Sequence, residues 1–489
     1  MKSLIHKTYI ISGITILIYA FCLLQLGRNL SFDTLTYDEA GQFFISKGLN
    51  HYSEPYSTSG SIADVIHQNT QFNQDPGGFS ILLHYWSDIS DSIIWLRMLP
   101  FIFFIGAICF TCLTVFKITK HKLISSIAGL LLFALWGGHI PYELRPYSME
   151  LCGMAYGLWL IFYIRSSHKI TKTALFFYSL VLSLFITARY TIIMFAGVYT
   201  LFILQSILNN KDREPLLKER LQACICFSIP LLCSVAYSYF FALRIQNSAL
   251  QPWSYIIYLS TQHWPFKLYT LGIIIAISTI KWQNKKTRLL TIIFISINIL
   301  FIILGYCKLL PWTFIGHKGA AFIWLWYINL YCVTLSILSS KIGYREWFSY
   351  IYLGFSCILI MFSNHQFHTL ELWEKSPLNI TRTLSDIPSD TKPPILVCET
   401  LNPSIRFYYE YTKTGKTRLI YPDDFIFLKG SAHTFINADS ISNYNNQIKN
   451  STEIGTIFLS VFSYTGEDYT PLILSKNTSD SFTLLKTYR

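Results

Sequence analysis

This sequence has little charge: only 13% of its 489 residues are Asp, Glu, Lys or Arg, against roughly 25% in a soluble protein. The hydrophobic share is 52%, and 17% of the residues are aromatic. One globular core could not bury so much apolar surface, whereas a lipid bilayer covers it. The composition therefore excludes an ordinary soluble domain and predicts an α-helical polytopic membrane protein.

The sequence also lacks the patterns of several common function classes. No CxxC pair is flanked by His or by a second pair, so no structural zinc site is predicted. Ten of the eleven cysteines lie in or beside apolar runs, which argues against a disulfide framework. We find no internal repeat and no Gly-rich phosphate loop. The net charge of +12 does not indicate nucleic-acid binding, because the basic residues lie mostly between apolar runs.

Apolar runs of membrane-spanning length occur about eleven times before residue 363. The first follows Lys2 and Lys7 and has no small-residue cleavage site after it, which favours an uncleaved helix over a signal peptide. A break at Ala188-Arg189-Tyr190 divides what would otherwise be one very long helix. The predicted runs are 8–26, 93–116, 123–140, 147–164, 173–187, 190–208, 221–243, 266–280, 289–307, 321–338 and 347–362.

Basic residues are distributed unequally between alternate loops. With the N-terminus in the cytoplasm, the cytoplasmic segments hold eighteen Lys and Arg, while the opposite short loops hold mainly eight. The positive-inside rule then predicts a cytoplasmic N-terminus and a C-terminal region outside the membrane.

The composition changes sharply after the last apolar run. Residues 1–363 form the predicted transmembrane domain, whose first external loop covers residues 27–91. Residues 364–489 are polar and are predicted to form a small extracytoplasmic α/β domain. Within it, strands are predicted at 393–398, 417–421 and 456–460, and a helix at 404–411.

The first external loop exceeds sixty residues and contains no run long enough to cross a membrane. Long loops of this kind are often functional. Thr36-x-x-Glu39 fits a capping box, in which Thr36 begins a helix and Asp38 favours the helix dipole. The alternative is that Asp38 is a general base at the membrane surface. The two interpretations are compatible, because a cap fixes the orientation that a catalytic carboxylate needs.

Further charged residues lie on the same predicted side of the membrane. Those between the third and fourth predicted spans also have a purely structural interpretation, since Arg and Glu at a membrane edge pair with each other or extend their charged ends to the interface. A site with carboxylates and several cations fits a substrate that has a phosphate group and a nucleophilic hydroxyl. The residues are Glu143, Arg145, Tyr147, Arg189 and Lys318.

The order of these motifs resembles the GT-C superfamily of membrane glycosyltransferases, in particular the branch of protein O-mannosyltransferases and the lipid A aminoarabinose transferase. Tyr37-Asp38-Glu39-Ala40 is similar to the acidic motif that opens the family's first external loop. Residues 75–86 are similar to its HPPLYYLLLHLW segment, although a Gln-Asp pair and two glycines replace the His and the second Pro. Residues 96–100 and 143–147 resemble its LRLPSAL and EARPYAL elements. The likeness is strongest over residues 8–164.

The resemblance implies an inverting glycosyltransferase in the inner cell membrane. It would move a sugar from a polyprenyl-phosphate-linked donor to an acceptor hydroxyl of a protein, lipid or glycan, among membrane lipids and without nucleic acid. By this analogy Asp38 is the catalytic base with Glu39 beside it, and Arg145 meets the phosphate charge. The other substrate-binding residues are then Glu143, Tyr147, Arg189, Lys318, Asp75 and His84.

No cofactor is expected, with a divalent metal as the alternative. His51, His67 and His84 lie in the first external loop, but their spacing makes no ligand set. Three other functions fit the topology: a lipid-linked glycan ligase or polymerase, a transporter or flippase, and a receptor-like scaffold. Transporters tend to have repeats and midplane charges, and this sequence has its charges at the outer edge.

Overall fold

The computed structural model describes most of the membrane region and short parts of the tail. The described residues are 2–30, 35–49, 57–73, 75–136, 140–167, 170–209, 217–239, 264–306, 320–342, 351, 354, 395–398, 407, 418–420, 456–460, 472–478 and 481–487.

The described part of the chain is mainly helical. The helices in chain order are α1 (Lys2–Leu30), α2 (Tyr37–Ser46), α3 (Ile62–Phe72), α4 (Gly78–Ser87), α5 (Ile93–Thr119), α6 (Lys122–Trp136), α7 (Tyr147–Ser166), α8 (Lys172–Ile186), α9 (Tyr190–Leu208), α10 (Leu217–Tyr237), α11 (Trp264–Ser278), α12 (Lys285–Tyr306) and α13 (Ala320–Ile342).

Ten of the eleven predicted apolar runs coincide with one of these helices, and the run 190–208 matches α9 at both ends. The break at Arg189 is confirmed, because α8 ends at Ile186 and α9 begins at Tyr190. The eleventh run, 347–362, lies almost entirely outside the described residues.

Among the described helices, α5, α9, α10 and residues 285–304 of α12 are long and apolar enough to cross a membrane. Residues 12–27, 122–133, 172–186 and 322–338 form shorter apolar helices. Exposed Leu and Ile side chains are frequent on α1, α8 and α10, as on helices that face lipid. The count of about eleven spans stays a prediction.

The helix α7 lies at the centre of the bundle, because most of its side chains are buried. It packs against α5, α8, α9 and α13, while α10 packs against α8 and α9. Its N-terminus directly follows Arg145 and Pro146, and Pro146 is its N-cap residue. The helix that begins directly after Arg145 and Pro146 is therefore held by four neighbouring helices.

The segment predicted to be the first external loop contains α2, α3 and α4, which have 10, 11 and 10 residues. A helix needs about 20 residues to cross the hydrocarbon core, so none of the three can span it. They pack on one another, and α4 also packs on α5. Trp86 and Trp95 fasten that junction: their rings stack with centroids 4.3 Å apart, and each indole N–H donates to the other residue's carbonyl oxygen.

Five strands are described in the tail: β1 (Ile395–Cys398), β2 (Arg418–Ile420), β3 (Thr456–Ser460), β4 (Leu472–Thr478) and β5 (Ser481–Thr487). They form a sheet of order β2-β1-β3-β4-β5, in which β1 pairs parallel with β2 and β3. The three predicted strands match β1, β2 and β3. The helix predicted at 404–411 lies outside the described residues except for Phe407. The α/β domain as a unit stays a prediction.

Candidate active site

The first turn of α2 is built around the carboxylate of Glu39. Thr36 Oγ1 accepts the Glu39 N–H and Glu39 Oε2 accepts the Thr36 N–H at 2.9 Å, so the predicted capping box is confirmed. Oε2 also accepts from Arg97 Nη2 at 3.0 Å, and Oε1 accepts from Arg97 Nε at 3.2 Å and from the Leu144 N–H at 3.0 Å.

These contacts change the role predicted for Glu39. Four donors occupy its two oxygens, which leaves no acceptor position for a reacting group. Burial alone would raise the pKa of Glu39, but Arg97 and two backbone N–H groups outweigh it and hold that pKa below its ordinary value of 4.5. The geometry therefore gives Glu39 a structural role in place of the predicted catalytic one.

Asp38 precedes Glu39 in the same anchored turn, and its side chain is exposed. Its carboxylate is near enough to Arg145 to contribute to raising the pKa of that guanidinium. The acid from the start of the chain and the cation from the turn before α7 are therefore electrostatically coupled. This is the juxtaposition on which the predicted site depends.

Arg145 lies in the turn that leads into α7. Its Nη1 donates to Asn73 Oδ1 at 3.4 Å, and its buried Nε has no hydrogen-bond partner among the described residues. Burial lowers the pKa of Arg145, but Tyr147 and three nearby carboxylates outweigh that effect and hold the pKa above its ordinary value. A permanently charged guanidinium with an unused donor is suited to an anionic group.

A ring of buried polar side chains joins α2, α3 and α4 beneath this arginine. Gln42 Nε2 donates to Ser80 Oγ at 2.7 Å, and Ser80 Oγ donates to Asn69 Oδ1 at 2.7 Å. Asn73 Nδ2 donates both to Asn69 Oδ1 and to Gln42 Oε1, at 3.0 and 3.1 Å. Because the ring is closed, it fixes the Asn73 amide that receives Arg145.

Asp75 follows this network and is 6% exposed. Its Oδ1 accepts the Gly77 N–H at 2.9 Å, and its backbone carbonyl accepts from Asn69 Nδ2 at 2.9 Å. Burial raises the pKa of Asp75, and this effect prevails over Arg145, the Gly77 N–H and Arg189, which lower it. Both arginines therefore lie within electrostatic range of one buried carboxylate.

A steric constraint explains each of the two glycines after Asp75. Gly77 has φ +85°, in the left-handed region that favours glycine. The Gly78 N–H donates to the Thr187 carbonyl at 2.9 Å, and a Cβ on Gly78 would overlap the Thr187 side chain. The glycines thus bring the first external loop into contact with the turn that carries Arg189.

Arg189 is the N-cap residue of α9 and is held by two residues of α7. Its Nη1 lies 2.7 Å from Glu150 Oε2, and its guanidinium carbon lies 4.8 Å from the centre of the Tyr147 ring. The Thr191 hydroxyl contacts the second oxygen of Glu150. The Arg189 side chain is 13% exposed and that of Glu150 is 1% exposed, so Glu150 is the more deeply buried of the pair.

The remaining predicted residues lie in different places. His84 Nδ1 is 2.7 Å from the Ser46 carbonyl oxygen, and because a carbonyl only accepts, Nδ1 carries the hydrogen. This contact ties α4 to the end of α2 and does not support a role in substrate binding. Glu143 is partly buried beside Arg145. Lys318 lies outside the described residues.

Sequence reasoning missed four residues that contribute to this region. Arg97 stands in a segment that resembles a family element, but its pairing with Glu39 was not foreseen. Asn69 lies on α3 and Asn73 is its C-cap residue, and the amide-rich run before Asp75 was a usable signal. Glu150 is a carboxylate inside an apolar run, which by itself indicates a candidate site.

Metal binding has no support in the part of the chain that the structure describes. There, no group of three or more His, Cys, Asp or Glu is arranged to hold a metal ion. His67 is exposed and His84 is buried against α2, while His51 lies outside the described residues.

The fold of this chain is shared with two solved structures, in line with the resemblance that its sequence motifs indicated. Two solved structures of ArnT from Cupriavidus metallidurans are similar to this chain, one bound to undecaprenyl phosphate and one in the apo state. Each match has 10% sequence identity and covers 92% of this chain and 93% of that chain, with TM-scores of 0.51 and 0.50. No family model and no curated protein sequence matches this chain. The likeness establishes the fold and leaves the chemistry to be inferred from the residues.

Proposed function

We propose that this protein is an inverting glycosyltransferase that uses a polyprenyl-phosphate-linked sugar and acts at the outer face of the inner cell membrane. The observation that carries the proposal is the 3.0 Å hydrogen bond from the Leu144 N–H to Glu39 Oε1, which brings the exposed Asp38 and the half-buried Arg145, the chain neighbours of these two residues, close together. The shared fold with ArnT, which binds undecaprenyl phosphate in one of its structures, supports a lipid-linked donor.

In the proposed reaction, Asp38 takes the proton of the acceptor hydroxyl while the hydroxyl oxygen attacks C1 of the sugar. The bond between C1 and the phosphate oxygen breaks on the opposite face, and its electron pair goes to the phosphate. The configuration at C1 is thereby inverted. Proton abstraction by a positioned carboxylate contributes typically 10²- to 10⁴-fold to a rate.

The leaving phosphate gains negative charge, which fixed cations and hydrogen-bond donors stabilise best. Arg145 has an unused buried donor at Nε, and the hydroxyl of Tyr190 is likewise buried without a partner among the described residues. Tyr190 and Arg189 both lie within electrostatic range of Asp75, as Arg145 does. We assign the phosphate to Arg145 and Arg189, with Asp75 beside them.

The proposal is tested by transfer from a panel of radiolabelled polyprenyl-phosphate sugars to lipid, glycan and peptide acceptors, with the purified protein in proteoliposomes. Asp38→Asn should lower transfer by at least ~10²-fold while leaving the thermal unfolding temperature unchanged. Glu219→Gln is the control, because Glu219 is an exposed carboxylate in the first turn of α10. An Asp38→Asn protein as active as the control would remove Asp38 from the base role.

The same preparation separates this proposal from a transporter. A flippase would move a fluorescent polyprenyl-phosphate sugar across the vesicle membrane with Asp38→Asn as well as with the unchanged protein. Movement without any transfer to an acceptor would therefore contradict the glycosyltransferase.

A further inference from the structure

Glu150 is a buried carboxylate that the proposed reaction does not use. It lies in the first turn of α7, and its side chain is 1% exposed. One oxygen is 2.7 Å from Arg189 Nη1 and the other contacts the Thr191 hydroxyl. Both partners stand at the start of α9, so this carboxylate is wholly engaged in fastening α9 to α7.

Two residues in one turn of α7 contact the guanidinium group of Arg189. Glu150 holds its Nη1, while the ring of Tyr147, three residues earlier, lies 4.8 Å from its guanidinium carbon. Residues at i and i+3 lie on the same helix face, so their two contacts fix the position and the plane of the guanidinium. The Arg189 side chain is 13% exposed, so these contacts do not enclose it completely.

The second cation belongs to the same structural unit. Arg145 is two residues before Tyr147, at the N-terminus of α7. The N-terminal end of α7 therefore sets the separation of the two guanidinium groups. Arg145 is attached to this end through the backbone, and Arg189 is held there by its contacts with Glu150 and Tyr147. A phosphate held by two arginines requires that separation to be constant, since a displacement near 1 Å costs on the order of 100-fold in a preorganised site.

We propose that Glu150 is a positioning residue, which orients Arg189 beside Arg145 so that the two arginines bind the phosphate of the lipid donor. This inference rests on the proposed function. The Glu150–Arg189 pair has no net charge, so Arg189 contributes directed hydrogen bonds, and Glu150 acts on the donor only through Arg189.

The test measures the binding of undecaprenyl phosphate, without a sugar, to the full chain in phosphatidylcholine nanodiscs. Binding is detected by the change in tryptophan fluorescence. This probe does not depend on which sugar the protein uses. Glu150→Ala should raise the Kd by ~10- to 100-fold, and Glu150→Gln, which keeps the side-chain volume and one acceptor, should raise it severalfold. Glu219→Gln is the control, because Glu219 is an exposed carboxylate in the first turn of α10.

A double-mutant cycle distinguishes positioning from general stabilisation. If Glu150 acts through Arg189, Glu150→Ala added to Arg189→Ala should change the Kd by less than twofold. An additive loss in the double variant would overturn the proposal. If Glu150→Ala does not fold, Glu150→Gln decides, and a Kd equal to that of the unchanged protein would also overturn it.

Failure of the proposed function has a different signature. A chain that does not bind undecaprenyl phosphate at all, with every variant equal, contradicts the lipid-linked donor and this inference together. A chain that binds it and loses binding in Arg189→Ala but keeps it in both Glu150 variants contradicts the positioning role alone.

Discussion

The carboxylate of Glu39 and the guanidinium of Arg97 form a buried ion pair, with Glu39 Oε2 3.0 Å from Arg97 Nη2 and both side chains 2% exposed. The two residues are 58 positions apart, and the Leu144 N–H that also bonds Glu39 is 105 positions away. One side chain thus connects α2, α5 and the turn before α7. Asp38 and Arg145, each adjacent to one of these anchored positions, are held near each other as a result.

Replacing Glu39 by Gln should destabilise the protein strongly, because the buried Arg97 guanidinium would lose the carboxylate that it pairs with. Breaking one side of a buried ion pair costs roughly 3–5 kcal/mol. The measurement is denaturant unfolding in detergent micelles. Replacing both residues by apolar ones, Glu39→Leu with Arg97→Met, should restore much of the loss. A Glu39→Gln protein as stable as the unchanged protein would show that the pair is not needed.

Asp75→Asn should stabilise the protein more at pH 7 than at pH 4. The pKa of Asp75 is raised by burial in the folded protein, so folding favours the protonated carboxyl group. The contribution of this group to stability is lost as the pH rises through its pKa in the folded protein. Asparagine is always neutral and can still accept the Gly77 N–H. The check is the difference in unfolding temperature between the two proteins at each pH. A larger gain in unfolding temperature at pH 4 than at pH 7 would contradict this prediction.

Gly78→Ala should displace the first external loop from the turn that carries Arg189, because the added Cβ overlaps Thr187. Overpacking of this kind costs roughly 1–3 kcal/mol, and binding of undecaprenyl phosphate should weaken with it. The loss of stability is measured as a change in unfolding temperature, and the loss of lipid binding is measured by fluorescence titration. Gly197→Ala is the matched control, since no atom lies within 4 Å of its added Cβ. Thr187→Gly in the Gly78→Ala background should recover part of the loss, and no recovery would place the cause elsewhere.

Arg145→Ala should weaken the binding of the lipid donor and change the KM for the acceptor little. Losing hydrogen bonds from a charged donor costs roughly 1.5–3 kcal/mol, which corresponds to about 10- to 100-fold in Kd. Steady-state kinetics with each substrate varied in turn separates the two effects. Arg220→Ala on α10 is the control, an arginine that bonds the Leu208 carbonyl at the predicted cytoplasmic side. An equal loss for donor and acceptor would give Arg145 a structural role.

The sequence by itself determined the helical class, the position of ten apolar helices and the capping box at Thr36. These features depend on local causes: apolar run length, residue type at a helix start and the break at Arg189. Three strands of the tail were predictable for the same reason, since short β-branched runs are read within a few residues. The GT-C resemblance came from the order of short motifs, each of which keeps its spacing along the chain.

The tertiary structure alone decided which of the charged residues act as supports. Glu39 and Asp38 are adjacent and chemically alike in the sequence, yet one is saturated by Arg97 and Leu144 while the other is exposed. Their difference depends on a helix 58 positions later, and no local pattern encodes such a contact. The pairing of Glu150 with Arg189 likewise required α7 and α9 to lie side by side with their N-termini at the same end. Packing therefore assigned these roles, because burial and partners are properties of the folded chain.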